Sequence, residues 1–172
     1  VVRAQASIDI QRAPTSVYRF VAEDFERNYP RWSPEVKELR LLSSGPIRVG
    51  TLARQVRVDQ GRRTESTFKI THMQPHQRLT FQGTSFPFVV DYRFDCAGSD
   101  CAGSGSGSGS GGSDSGGSGT RLIFTFELRR LDLMMRPFEK LIRVAIQEGA
   151  ERTVRNLKRL VEAECEPERQ TA

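Results

Sequence analysis

Long apolar runs are missing from this sequence of 172 residues. No stretch approaches the about 18 to 20 apolar residues that a bilayer-crossing helix needs, so stable membrane insertion by a helix is excluded. Cysteine is scarce and odd in number, with only Cys96, Cys101 and Cys165, which does not make a disulfide scaffold and is simplest in a reducing cytoplasm. The opening VVRAQASIDI has no charged leader followed by an apolar core, so it does not read as a signal peptide. It also lacks an initiator Met, which leaves open whether a leader was removed. Histidine is limited to His72 and His76. Pro75 lies between them at a strand end and turn, with no cysteine or carboxylate pair at ligand spacing. A solvated turn is therefore expected, with no metal and no cofactor. Lysine is also rare. Of the 26 basic residues, 22 are Arg, scattered rather than clustered, and the net charge is +5. No zinc-finger, helix-turn-helix or RNA-binding pattern accompanies them, so nucleic acid is not an expected partner.

One stretch is rich in what the rest lacks. Residues 98–119 contain 10 Gly and 8 Ser, a composition that cannot bury apolar surface and predicts disorder. Lengthening a hairpin loop from about 4 to about 24 residues costs only about 1.6 kcal/mol in closure entropy. Cys96-Ala97-Gly98-Ser99 is nearly repeated as Cys101-Ala102-Gly103-Ser104, which favours a natural expansion, with an inserted linker as the alternative. The expectation is one domain over 1–172, interrupted at 98–119.

Elsewhere the periodicity is informative. Residues 3–10 alternate, with Ala4, Ala6, Ile8 and Ile10 on one face, as in a half-buried strand. Pro14 opens a short helix carrying Val17, Phe20 and Val21, and a second short helix is expected over 24–29. Pro30 and Pro34 are expected to break it. Six strands follow, at about 36–43, 50–59, 62–73, 77–83, 86–96 and from residue 120 onward, with Gln60-Gly61 as a tight turn. A long amphipathic helix over 133–164 closes the chain, with Pro137 either kinking it or marking a preliminary turn. Strand-to-strand succession implies an antiparallel meander with one buried face. The predicted architecture is α+β: a seven-stranded curved antiparallel sheet wrapped around the long C-terminal helix, with two short helices after the first strand.

Several short pieces, in this order, carry a resemblance. They are Ala13-Pro14 with 17–21, Trp32-Ser33-Pro34, Gly45-Pro46, Val49-Gly50-Thr51 and Gln74-Pro75 with Arg78-Leu79. Gly119-Thr120-Arg121 and Leu157-Lys158-Arg159-Leu160 complete the set. Together they resemble the START-like, helix-grip (SRPBCC) domains of the polyketide cyclase/dehydrase and lipid-transport superfamily. The resemblance implies a cavity between sheet and long helix that holds a lipid, sterol, quinone, hormone or polyketide. The residues themselves leave two readings open. Ten Phe, three Tyr and one Trp fill a tightly packed aromatic core, or they line such a cavity.

Strand parity supplies the candidate ligand contacts. Thr64, Ser66 and Phe68 share the inward face of one strand. Phe81, Phe88, Tyr92, Phe124 and Phe126 come from the next three, with Phe86 and Phe94 on the same face. Trp32 joins them from the short helices. Phe138, Ile142, Ala145, Ile146 and Gly149 face the sheet from the long helix, Ala145 and Gly149 leaving space. Arg54, grouped inward with Leu52, Val56 and Val58, is a candidate anchor for a carboxylate or phenolate oxygen. Alternatively it reaches water from a strand end, and a bulge would reverse the parity. No catalytic constellation is legible, and Tyr92 and Arg54 are the weak candidates for acid–base work. The expected function is binding, or transport, of a small hydrophobic or amphipathic ligand by a monomer or weak homodimer. The alternatives are a cyclase or aromatase using the same pocket, and a protein-interaction module.

Overall fold

The computed structural model describes residues 1–97, 119–131 and 133–165. Alternating residues produce seven strands: β1 (Val2–Ile10), β2 (Val36–Leu41), β3 (Leu52–Asp59), β4 (Arg62–Gln74), β5 (Arg78–Gly83), β6 (Phe88–Ala97) and β7 (Gly119–Leu128). They form one antiparallel sheet in the order β1-β7-β6-β5-β4-β3-β2. Between β1 and β2 the chain forms α1 (Pro14–Tyr18), a single π-helical turn (Arg19–Glu23) and α2 (Phe25–Trp32). The chain ends in a 3-10 segment (Leu133–Phe138) and the long helix α3 (Glu139–Glu164). This is the α+β arrangement that the periodicity predicts, in the helix-grip form that the resemblance implies. The 3-10 segment containing Pro137 is the preliminary turn, and α3 starts cleanly after it.

Two local expectations are corrected. The helix α2 runs through Pro30 to Trp32 rather than ending at Tyr29. Proline here removes one ladder donor, a cost confined to the last turn. Packing outweighs it: Trp32 is fully buried, and the Asn156 side chain donates to its carbonyl oxygen at 3.1 Å. Strand β6 begins at Phe88, not at residue 86, and Phe86 is half exposed. The segment before β6 folds back over Gly83, where an added Cβ would sit 2.0 Å from the Phe86 carbonyl oxygen and 2.6 Å from the Phe88 ring. Only glycine fits under that close approach.

The turn at Gln60-Gly61 has positive φ at both residues (50° and 79°), as a two-residue hairpin requires. It fixes the register Arg57↔Thr64, Gln55↔Ser66 and Ala53↔Phe68. At the other hairpin Ala97 pairs with Gly119, so the last glycine of the Gly/Ser stretch already belongs to β7. Residues 98–118, with the disorder expected of them, lie outside the described residues. Cys165 is a free thiol, whereas Cys96 is disulfide-bonded.

Of the strands, α3 lies mainly against β1 and β7, and it also meets α2. Its buried residues, Ala150, Val154, Leu157 and Val161, all lie at or beyond residue 150. Gln147 Nε2 donates to the Gln5 carbonyl oxygen of β1 at 3.1 Å; before it no α3 residue is buried, although the apolar stripe continues through those first turns. Among the described residues, no helix is long and apolar enough to cross a membrane.

Candidate functional site

Because α3 packs mainly on β1 and β7, a cleft of about 800 Å³ remains between its N-terminal half, the middle strands and the end of α2. One wall is apolar: Phe88, Val90 and Tyr92 from β6, Phe124 and Phe126 from β7, and Ile142, Ala145, Ile146 and Gly149 from α3. The opposite end is polar, built from Tyr29, Gln55, Arg57, Thr64 and Ser66. A ligand with an apolar body and an oxygen-bearing end matches this division.

The polar end is a connected network. The Tyr29 hydroxyl donates to Gln55 Oε1 at 3.2 Å, and Gln55 Nε2 donates to Ser66 Oγ at 3.1 Å. The Arg57 guanidinium donates to Asp59 at 3.3 and 3.4 Å. At the rim, Arg152 Nη1 donates to Glu35 Oε1 at 2.8 Å, joining α3 to the start of β2. Arg57 and Arg152 thus each meet a carboxylate, whereas Arg62, also in the lining, forms no salt bridge with a described residue. Burial pushes the Tyr29 phenol upward, and the charge of Arg57 opposes that shift.

Tyr92 stands between the two regions. It is buried, and its oxygen accepts a hydrogen bond from Trp32 Nε1 at 3.1 Å. Burial first, and then the neighbouring Tyr29, push its phenol well above the ordinary value, against weaker opposition from Trp32 and Arg57. The group stays protonated at neutral pH, which leaves its O–H as a donor and makes it a poor base. With the oxygen already accepting from Trp32, that donor can meet a ligand oxygen. The unfolded chain ionises tyrosine near pH 10, while the folded chain holds the proton. Stability is therefore present below that pH and falls as pH rises through it. Tyr92→Phe should flatten this alkaline slope, with Tyr29 keeping a remainder. At neutral pH the same change should cost about 1–3 kcal/mol, because the Trp32 N–H loses its acceptor. Urea denaturation at neutral and alkaline pH reads both effects, and an unchanged slope would contradict the assignment.

The structure gathers Thr64, Ser66, Phe88, Tyr92, Phe124, Phe126, Ile142, Ala145, Ile146 and Gly149 around the cleft. Trp32, Phe68 and Phe81 are instead fully buried in the aromatic core behind it. Trp32 reaches the site through Tyr92 and Tyr29. Phe138 is exposed on the 3-10 segment. Arg54 lies on the opposite face of the sheet, where it forms a two-point ion pair with Glu65 at 2.5 and 2.7 Å. Inward-facing Ala53, Gln55 and Arg57 replace the expected Leu52, Val56 and Val58. The missed residues were recoverable. A two-residue turn at Gln60-Gly61 places Arg57 opposite Thr64 and Gln55 opposite Ser66, and residues directly opposite share a face. His76 packs edge-on against Tyr18 at 5.5 Å, and among the described residues no group of three metal-ligating side chains comes together.

Solved structures share this architecture. The Thermus thermophilus protein TTHA0849 is 19% identical, with 95% of this chain and 99% of that one covered and a TM-score of 0.67. Protein NE0264 from Nitrosomonas europaea is 13% identical, covering 95% and 96%, with a TM-score of 0.62. The di-domain aromatase/cyclase BexL from the BE-7585A biosynthetic pathway is 15% identical with a TM-score of 0.67. The match covers 97% of this chain and 48% of BexL. At these identities the likeness is one of fold. No curated protein matches the sequence. Residues 1–162 fit the family model described as polyketide cyclase / dehydrase and lipid transport, and the chain belongs to that family.

Proposed function

We infer that the chain binds a small amphipathic molecule in the cleft between the sheet and α3. The observation that carries this reading is the division of one cleft into an aromatic wall and a polar end. The apolar body of the ligand rests on Phe88, Phe124, Phe126, Ile142 and Ile146. A carbonyl or hydroxyl oxygen accepts from Tyr92, and the far end meets Gln55, Arg57, Thr64 and Ser66. The pairing of Arg57 and Arg152 with carboxylates favours a neutral polar group over an anion beside them. In this reading the chain works as a monomer or weak homodimer, without nucleic acid.

An aromatase or cyclase reaction in the same cleft is the second reading, favoured by the family description and by the likeness to BexL. Tyr92 would then act as a proton donor to a developing oxyanion. Native mass spectrometry of the purified protein, with the released small molecules identified, separates these readings. Binding predicts one apolar, oxygen-bearing molecule per chain that is recovered unchanged after incubation. Conversion of that molecule, abolished by Tyr92→Phe, would establish the enzyme. A protein that is empty and takes up no fatty acid, quinone, sterol or aromatic polyketide would overturn the ligand reading.

A further inference from the structure

Beside the cleft, the 3-10 segment and the first turns of α3 expose an unusual set of side chains. Leu133, Met134, Met135, Phe138, Leu141 and Val144 are 43% to 87% exposed, and no residue of the 3-10 segment is buried. Single exposed apolar residues need no explanation, but a contiguous group of this kind marks a contact surface. Its charge is predominantly positive. Arg129, Arg130, Arg136, Lys140 and Arg143 surround it, all exposed, and the sequence over 129–144 holds these five cations against two acids, Asp132 and Glu139. Glu139 pairs with Arg143 at 2.9 Å and Arg129 with Glu127 at 3.4 Å. Arg130, Arg136 and Lys140 form no salt bridge with a described residue.

We propose that this end of the molecule docks on an anionic lipid surface, with the apolar side chains in the headgroup–acyl boundary and the cations against lipid phosphates. Apolar residues flanked by basic ones fit an interfacial membrane contact. A second copy of the chain fits worse, because a two-fold contact would set Arg136 and Lys140 against their own counterparts. The docked surface adjoins the mouth of the cleft. Ile142, Ala145 and Ile146 line the cleft from the same helix. Half-exposed Phe86 stands at the rim, held near this segment by the Arg129 N–H bond to the Pro87 carbonyl oxygen at 2.9 Å. Attachment itself does not rest on the ligand reading and is measured without any ligand.

The test is flotation of the full chain with vesicles of phosphatidylcholine alone and of phosphatidylcholine with phosphatidylserine in equal parts. Binding is expected to the anionic vesicles and to weaken as salt is raised. Phe138→Glu with Leu141→Glu should lower that partitioning by about a hundredfold, at roughly tenfold per apolar side chain withdrawn. Arg136→Gln with Lys140→Gln should lower it about fivefold per charge, on anionic vesicles only. All four side chains are exposed, so folding should be unchanged by circular dichroism. No flotation with anionic vesicles at low salt would overturn the proposal, as would equal binding to both vesicle types. A solution dimer dispersed by Phe138→Glu would also overturn it, in favour of a second copy.

Discussion

Replacing Gly149 with phenylalanine is expected to remove ligand uptake while leaving the fold intact. Gly149 lines the cleft from α3, and a Cβ added there would meet nothing within 4 Å. The space that receives the new ring is the space assigned to the ligand. Glycine inside a helix costs about 0.5–1 kcal/mol relative to alanine, so Gly149→Ala should raise stability by about that amount. Gly149→Phe should weaken binding of the native ligand at least about tenfold, or about 1.4 kcal/mol, without loss in the urea midpoint. The pair of variants separates stability from binding at one position. Undiminished binding by Gly149→Phe would mean that the ligand does not occupy this part of the cleft.

Trp32→Ala is expected to be the most destabilising single change, costing about 3–5 kcal/mol. The indole is fully buried, with the rings of Tyr29, Phe20, Phe25 and Tyr92 at centroid distances of 5.6, 6.0, 6.2 and 6.2 Å. Truncation opens a cavity in that cluster and deprives Tyr92 of its one protein donor. A domain with total stability of about 5–15 kcal/mol would lose a large part of it, visible as a lowered urea midpoint. A loss below about 1 kcal/mol would show that the cluster relaxes around the gap.

The same residue shows where sequence reading succeeds and where it stops. The strands were legible because alternation and turn residues are local signals: Gln60-Gly61 marks a turn whatever surrounds it. Which face of β3 looks inward was not local. Leu52, Val56 and Val58 are more apolar than Ala53, Gln55 and Arg57, so hydropathy alone turns the strand over and puts Arg54 in the site. The register across the hairpin reverses that choice, because Leu52 and Val56 sit opposite Lys69 and Glu65, whereas Ala53 sits opposite Phe68. Trp32, Phe68 and Phe81 look inward as expected, yet they fill the core instead of lining the cleft. Parity gives the direction of a side chain and not the depth at which neighbours close over it.

The long helix carries the same lesson. Its apolar stripe from Met134 to Val161 is continuous in the sequence, but no α3 residue before Ala150 is buried. Periodicity reports which face is apolar and is silent on where the covering sheet ends. Phe138 and Leu141 are exposed for that reason, and the cleft exists because of it. The polar network of Tyr29, Gln55 and Ser66 joins α2, β3 and β4, three elements whose approach no single stretch of sequence encodes.

The central claim is that the ligand sits between the aromatic wall and the polar end of this cleft. The most direct measurement is nuclear magnetic resonance mapping of isotopically labelled protein, titrated with the molecule released from the purified sample. Saturable shifts are expected at Thr64, Ser66, Tyr92, Phe124, Ile146 and Gly149, with the exposed residues Met134 and Leu141 little changed in the absence of lipid. Shifts confined to residues 133–144, or spread over the surface without saturation, would contradict it.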